Sequence, residues 1–154
     1  MEFLIGYLFE AAIFMIILLG LAVVAYVLYG LSHSRALKHM GYDKPWMAWI
    51  PFGNMMALAE CTRQPEFKLG TLVVPMNVFR FWWAAALVIN FVPFIGTLAF
   101  WVMMIICQGW CYGMIYAVTE RRPVDEMRVL GYFSGVITII PIVKFFQLPK
   151  EVEE

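Results

Sequence analysis

Charge is what this chain has least of. Of 154 residues, only 14% are Asp, Glu, Lys or Arg, and two are histidine. An ordinary soluble domain carries ~25% charged residues. The charges present sum to zero, which leaves no basic surface for nucleic acid and predicts no nucleic-acid partner. Cysteine is scarce too. Cys61, Cys107 and Cys111 are too few for a disulfide framework and cannot all pair. Neither Cys-x-x-Cys nor His-x-x-x-His occurs, so the common redox and metal-binding spacings are missing.

What the chain does have is apolar surface. Hydrophobic residues make up 63% and aromatic residues 17%. A monomeric soluble fold of this length would leave much of that surface in water, where large apolar patches drive association. The composition excludes a monomeric soluble enzyme, a disordered tail and a disulfide scaffold. It predicts an all-α membrane protein with the lipid bilayer as its first partner.

The pattern sharpens this. Residues 11–34 and 81–119 contain no Asp, Glu, Lys or Arg, and shorter charge-free runs cover 45–59, 69–79 and 129–143. About 20 apolar residues cross the ~30 Å hydrocarbon core. Four spans are expected in one membrane domain, at about 3–31, 69–92, 97–118 and 129–148. The first is too long for the apolar region of a cleaved signal peptide, and no basic region precedes it. Residues 11–30 suffice to cross, which places Glu10 at headgroup level. Residues 91–96, Phe-Val-Pro-Phe-Ile-Gly, read as a tight turn between two antiparallel helices.

The apolar run 45–59 is short for a span and fits an interfacial or re-entrant segment. Asp43 and Asn54 are candidate caps for two short helices broken at Pro51 and Gly53. Trp46 and Trp49 suit the headgroup region. Basic residues set the orientation. Arg35, Lys38, Lys44, Arg63 and Lys68 lie in the first connector, and Arg121, Arg122 and Arg128 in the second. Loops 32–68 and 119–128 are therefore expected on the cytoplasmic side. Both termini would lie outside, with Lys144 snorkelling toward Lys150 in the polar tail. Should Pro141 turn the last segment back, the C-terminus stays inside.

Few residues stand out as site candidates. Arg80 falls near the bilayer centre if a helix starts at Leu69, and a charge there needs a partner or a wet cavity. It reads as an anion contact, a structural ion pair, or an interfacial residue following Pro75. Glu10 and Lys144 are the other ion-pair candidates. Gly109 and Gly113, and Gly131 and Gly135, form two Gly-x-x-x-Gly pairs that allow close helix contact, within the chain or with a second protein. Cys107 and Cys111 share a helix face but read as buried apolar residues. Ser134 lacks the glycine spacing and the histidine of an intramembrane serine protease. His33, His39, Asp43 and Cys61 do not converge at metal-ligand spacing. No catalytic residue, metal ligand or cofactor site is assigned.

One block is distinctive: Gly41-Tyr42-Asp43-Lys44-Pro45-Trp46-Met47-Ala48-Trp49-Ile50-Pro51-Phe52-Gly53-Asn54. It resembles a group of small polytopic bacterial membrane proteins with a Gly…Trp-x-Ala-x-Ile-Pro-x-x-Asn signature. The matched block covers about 15 residues, and the order of elements around it is similar. The resemblance implies a multi-pass protein of the bacterial cytoplasmic membrane and brings no reaction with it. The leading expectation is a non-enzymatic subunit or scaffold docking another membrane protein or a second copy. A pore or carrier element is the alternative, and a membrane thiol enzyme using Cys107 and Cys111 a remote one.

Overall fold

The computed structural model describes residues 2–149, with side chains from Gly6 onward. The tail from Lys150 falls outside the described residues. The structure is 74% helical, as an all-α chain should be. Two helical stretches, not four, are long and apolar enough to cross a membrane: Gly6–His39 and Gly96–Glu120.

Helix α1 runs from Glu2 to His39. It is closed by a Schellman motif: Gly41 takes φ +68, its N–H donates to the Lys38 carbonyl, and Tyr42 N–H donates to that of Leu37. From Gly6 to Leu28 every α1 residue is exposed, and burial begins only at Tyr29 and Gly30. Those exposed residues form a rod ~34 Å long at 1.5 Å per residue.

The Trp-Ile-Pro block folds as a 3-10 turn, Pro45–Trp49, then α2, Gly53–Cys61. Neither Asp43 nor Asn54 caps these elements. Lys44 and Phe52 occupy the cap positions without side-chain bonds. Phe52 adopts a left-handed φ of +63, and its ring stacks on Trp83 at 4.9 Å.

The expected helix over 69–92 does not form. Strands β1 (Glu66–Leu69) and β2 (Leu72–Pro75) pair as an antiparallel hairpin. Gly70, at φ +59, heads its two-residue turn, the position a type II′ turn reserves for glycine. Thr71, Val73 and Val74 favour a strand. Pro75 has no N–H to continue the ladder, and the single turn α3 (Met76–Phe79) follows. Only Trp82–Asn90 forms a longer helix, α4, of nine residues.

From Gly96 the chain stays helical to Glu120: α5 (Gly96–Met103), a π turn (Met104–Gln108) and α6 (Gly109–Glu120). Gly96 is required at the start because a Cβ there would stand 2.4 Å from the Ile89 carbonyl oxygen. Helix α7 (Val124–Val136) then runs antiparallel to α6. The two meet at their glycines. A Cβ on Gly131 would lie 2.4 Å from Gly109 O, one on Gly109 2.7 Å from Tyr132 Cα, and one on Gly135 2.9 Å from Ile105 O.

Residues 129–148 are not one helix either. The chain breaks at Ile137–Thr138 and returns as α8 (Ile139–Phe146). Pro141 is not the breaker. It sits in the first turn of α8, where a missing N–H is harmless. Phe145 packs on His33, Tyr112 and Tyr116, and Arg35 donates to the Leu148 carbonyl. The last segment therefore goes out and comes back to the foot of α1.

Helices α1 and α6 run in the same sense. His33 touches Tyr112, and His39 and Met40 share a cleft with Val118 and Thr119. The aromatic trio Phe67, Phe79 and Trp110, with centroids 4.3–5.4 Å apart, fastens the β-hairpin and α3 to α6.

The glycine crossing yields a clear expectation. Gly131→Ala drives a methyl into backbone and should cost about 1–3 kcal/mol, read as a lower thermal midpoint in detergent. Gly20→Ala, which meets nothing within 4 Å, should leave the midpoint unchanged.

Candidate functional site

The polar groups that the sequence scattered through apolar segments gather where α1 enters the folded body. His33 is completely buried. Its Nδ1 lies 2.9 Å from the Tyr29 carbonyl, so that nitrogen carries the proton and donates. Nε2 must then accept, and the Tyr112 hydroxyl, at 2.9 Å, donates to it. Gln108 Nε2 in turn donates to the Tyr112 oxygen at 3.0 Å. The ring of Tyr29 stacks on His33 with centroids 3.8 Å apart, and Asn54 Nδ2 donates to the Tyr29 hydroxyl at 2.6 Å. These contacts join α1, α2 and the α5–α6 helix.

Two carbonyl oxygens at this junction, Asn54 Oδ1 and Gln108 Oε1, are buried without a partner. A second buried link ties α6 to α7: the hydroxyls of Tyr116 and Ser134 lie 3.0 Å apart, and Ser134 donates to the Leu130 carbonyl at 2.9 Å. Ser134 is a tie between helices beside the glycine crossing.

Nearer the charged end, Glu60 on α2 holds two partners. Tyr42 donates to Oε2 at 2.7 Å, and Arg80 donates to Oε1 at 3.0 Å. Burial and the Glu60 carboxylate together push the Tyr42 phenol well above its ordinary pKa. Burial raises the neighbouring Cys61 thiol to about 12.

Arg80 therefore does not lie within either long apolar helix, and its carboxylate partner is Glu60, not Glu10. It caps α3 at the foot of α4, its side chain 40% exposed, and lies over the Phe81 ring at 4.8 Å. The displacement follows from the β-hairpin, which removes the helix that would have carried it inward. Lys144 does not snorkel away. It pairs with Glu120 at 2.5 Å, because α8 folds back. Glu10 lies on the uncovered part of α1.

Trp46 is exposed, whereas Trp49 covers Gly30, where a Cβ would fall 2.5 Å from its ring. Its carbonyl accepts the Tyr26 hydroxyl. Pro51 and Asn54 line an open, mainly apolar cleft of about 240 Å³ with Tyr26, Tyr29, Trp49 and Phe52. Gly109, Gly113, Gly131 and Gly135 face one another. All three cysteines are free and buried. Among the described residues, no group of His, Cys, Asp and Glu can hold a metal ion.

The residues missed from sequence are Tyr29, Gln108, Tyr112 and Glu60. Gln108 did carry a signal, as an amide in the longest charge-free run; the tyrosines carried none, being amphipathic side chains in an aromatic-rich chain. No protein-family model, curated protein or solved structure matches the chain.

Chemically the junction is a chain of hydrogen bonds that ties α1 to α2 and α6 and leaves two carbonyl oxygens open. His33→Leu removes the acceptor of a buried hydroxyl and should destabilise the fold by about 1–3 kcal/mol, measured by thermal unfolding in detergent. Cys61 should resist maleimide at neutral pH until the protein unfolds. Its folded pKa of about 12 exceeds the reference value of 9.0. This contribution is complete below pH 9 and disappears as pH rises toward 12, which a pH series of unfolding midpoints, compared with Cys61→Ala, will show.

Proposed function

We propose that this chain is an integral membrane protein in which α1 crosses the bilayer and the folded body is seated at the cytoplasmic face, serving as a small non-enzymatic subunit or scaffold of a membrane complex. One observation carries the reading: the 18-residue apolar window of α1 is 0% buried in the structure. In water such a helix would expose a continuous apolar surface far larger than soluble monomers tolerate. In hydrocarbon it is satisfied, because every backbone bond is internal.

The charges support the seating. Lys38 lies in the last turn of α1, Arg63 just past α2 with its guanidinium on the Met40 carbonyl, and Arg121 and Arg122 just past α6, all away from the uncovered rod. That arrangement matches the excess of Lys and Arg in cytoplasmic loops. The buried hydrogen bonds of His33, Tyr112 and Gln108, and of Tyr116 and Ser134, hold helices together, which favours a structural role. The four glycines are occupied within the chain, so a partner would meet the uncovered face of α1. Arg80, the main motive for a carrier, is held by Glu60 outside both long apolar helices.

The protein should remain in the membrane pellet after alkaline carbonate extraction and require detergent for release. Photo-crosslinkers at Phe14 or Leu18 should capture a second protein or a second copy. Release by carbonate would overturn the membrane reading, and crosslinks to lipid alone would overturn the subunit reading.

A further inference from the structure

Exposed apolar surface is not confined to α1. The α4–α5 hairpin ends in Phe91-Val92-Pro93-Phe94-Ile95, where Phe91 is 86% and Phe94 103% exposed. Val88, Leu98 and Trp101 continue the exposed apolar surface down both arms. It lies within the 39-residue run that carries no charge.

Its direction is set by the packing of α1 and α6. The two helices run in the same sense, with His33 and Tyr112, 79 residues apart, side by side. Carrying that offset back along the continuous α5–α6 helix brings Gly96 level with Ile17, the middle of the uncovered stretch of α1. The arm length agrees. Nine residues of α4 extend ~14 Å at 1.5 Å per residue, about half of the ~30 Å hydrocarbon core.

The turn also suits a medium without water. Phe91, Val92, Ile95 and Gly96 donate their N–H groups to the carbonyls of Val88, Ile89, Pro93 and Val92 at 2.8–3.2 Å, and Pro93 has none to place. Irregular backbone with open N–H groups is not tolerated against lipid. Here the turn meets nearly all of that demand itself.

We propose that the α4–α5 hairpin is a re-entrant membrane dip, which enters the cytoplasmic leaflet beside α1, turns near the bilayer midplane and contacts acyl chains through Phe91, Phe94 and Leu98. It rests on the membrane reading above and replaces two full spans by one half-depth loop. The protein would then occupy more area in one leaflet than in the other.

The test compares depths. Single variants Phe94→Cys, Phe91→Cys and Ile17→Cys are labelled with an environment-sensitive fluorophore, with wild type as the control for the buried native cysteines. Each is reconstituted in phosphatidylcholine–phosphatidylglycerol vesicles containing lipids with a quencher near the headgroup or near the chain end. Labels at Phe94 and Phe91 should show the same deep-to-shallow quenching ratio as the label at Ile17, with no effect of iodide on either side. Iodide quenching of the Phe94 label from the side opposite the body would mean a full crossing and overturn the dip. Quenching from the body's own side, or shielding by crosslinking to a second copy, would overturn it equally. A label at Ile17 reached by iodide would instead overturn the membrane reading, and the dip with it.

Discussion

The uncovered stretch of α1 sets the terms for the rest of the molecule. A helix gains little from its own hydrogen bonds in water, and isolated helices there are marginal without packing. Residues 6–28 are all exposed, with Tyr26 touching Trp49 near their C-terminal end. Their stability has to come from the medium around them. In the membrane reading proposed above, hydrocarbon supplies it, and the exposed apolar surfaces on the α4–α5 hairpin and around Ile137–Ile139 cease to be anomalies.

The body is held together by a buried apolar core that includes Leu37, Leu58, Trp110, Ile115 and Phe145, by close approach and by polar links. The glycine crossing brings α6 and α7 within backbone contact, where dispersion acts over many atoms. The π turn at Met104–Gln108 lies beside it, against Gly135. Two buried chains of hydrogen bonds then fix the neighbours: His33–Tyr112–Gln108 joins α1 to α6, and Tyr116–Ser134 joins α6 to α7. Such bonds make one arrangement of helices preferable to others, because any slip leaves a buried polar group unpaired.

Much of this was readable in the sequence, and the misreadings share a cause. The first and third helices follow from long charge-free stretches, 11–34 and 94–119, with no proline inside them. The four glycines advertise close contact by spacing alone. The helix expected over 69–92 failed because hydropathy does not distinguish a strand pair from half a span, while Arg80 took the structural ion pair that was one of its readings. Gly70, the β-branched residues around it and Pro75 held the missing information as turn chemistry. Whether the last segment crosses or turns back stayed open in the sequence, since a proline in a helix's first turn and one that breaks a helix look alike in one dimension.

By itself, the sequence determined where apolar surface and charge lie along this chain. Which stretches carry no charge, and which connectors carry Lys and Arg, are properties of composition that no folding can change. Tertiary structure alone decided the partners: Arg80 with Glu60, Lys144 with Glu120, His33 with Tyr112. It also decided that two apolar segments turn back. Those outcomes depend on which helices lie side by side and in what sense, and that follows from packing between residues as much as 113 positions apart, as for Arg35 and Leu148.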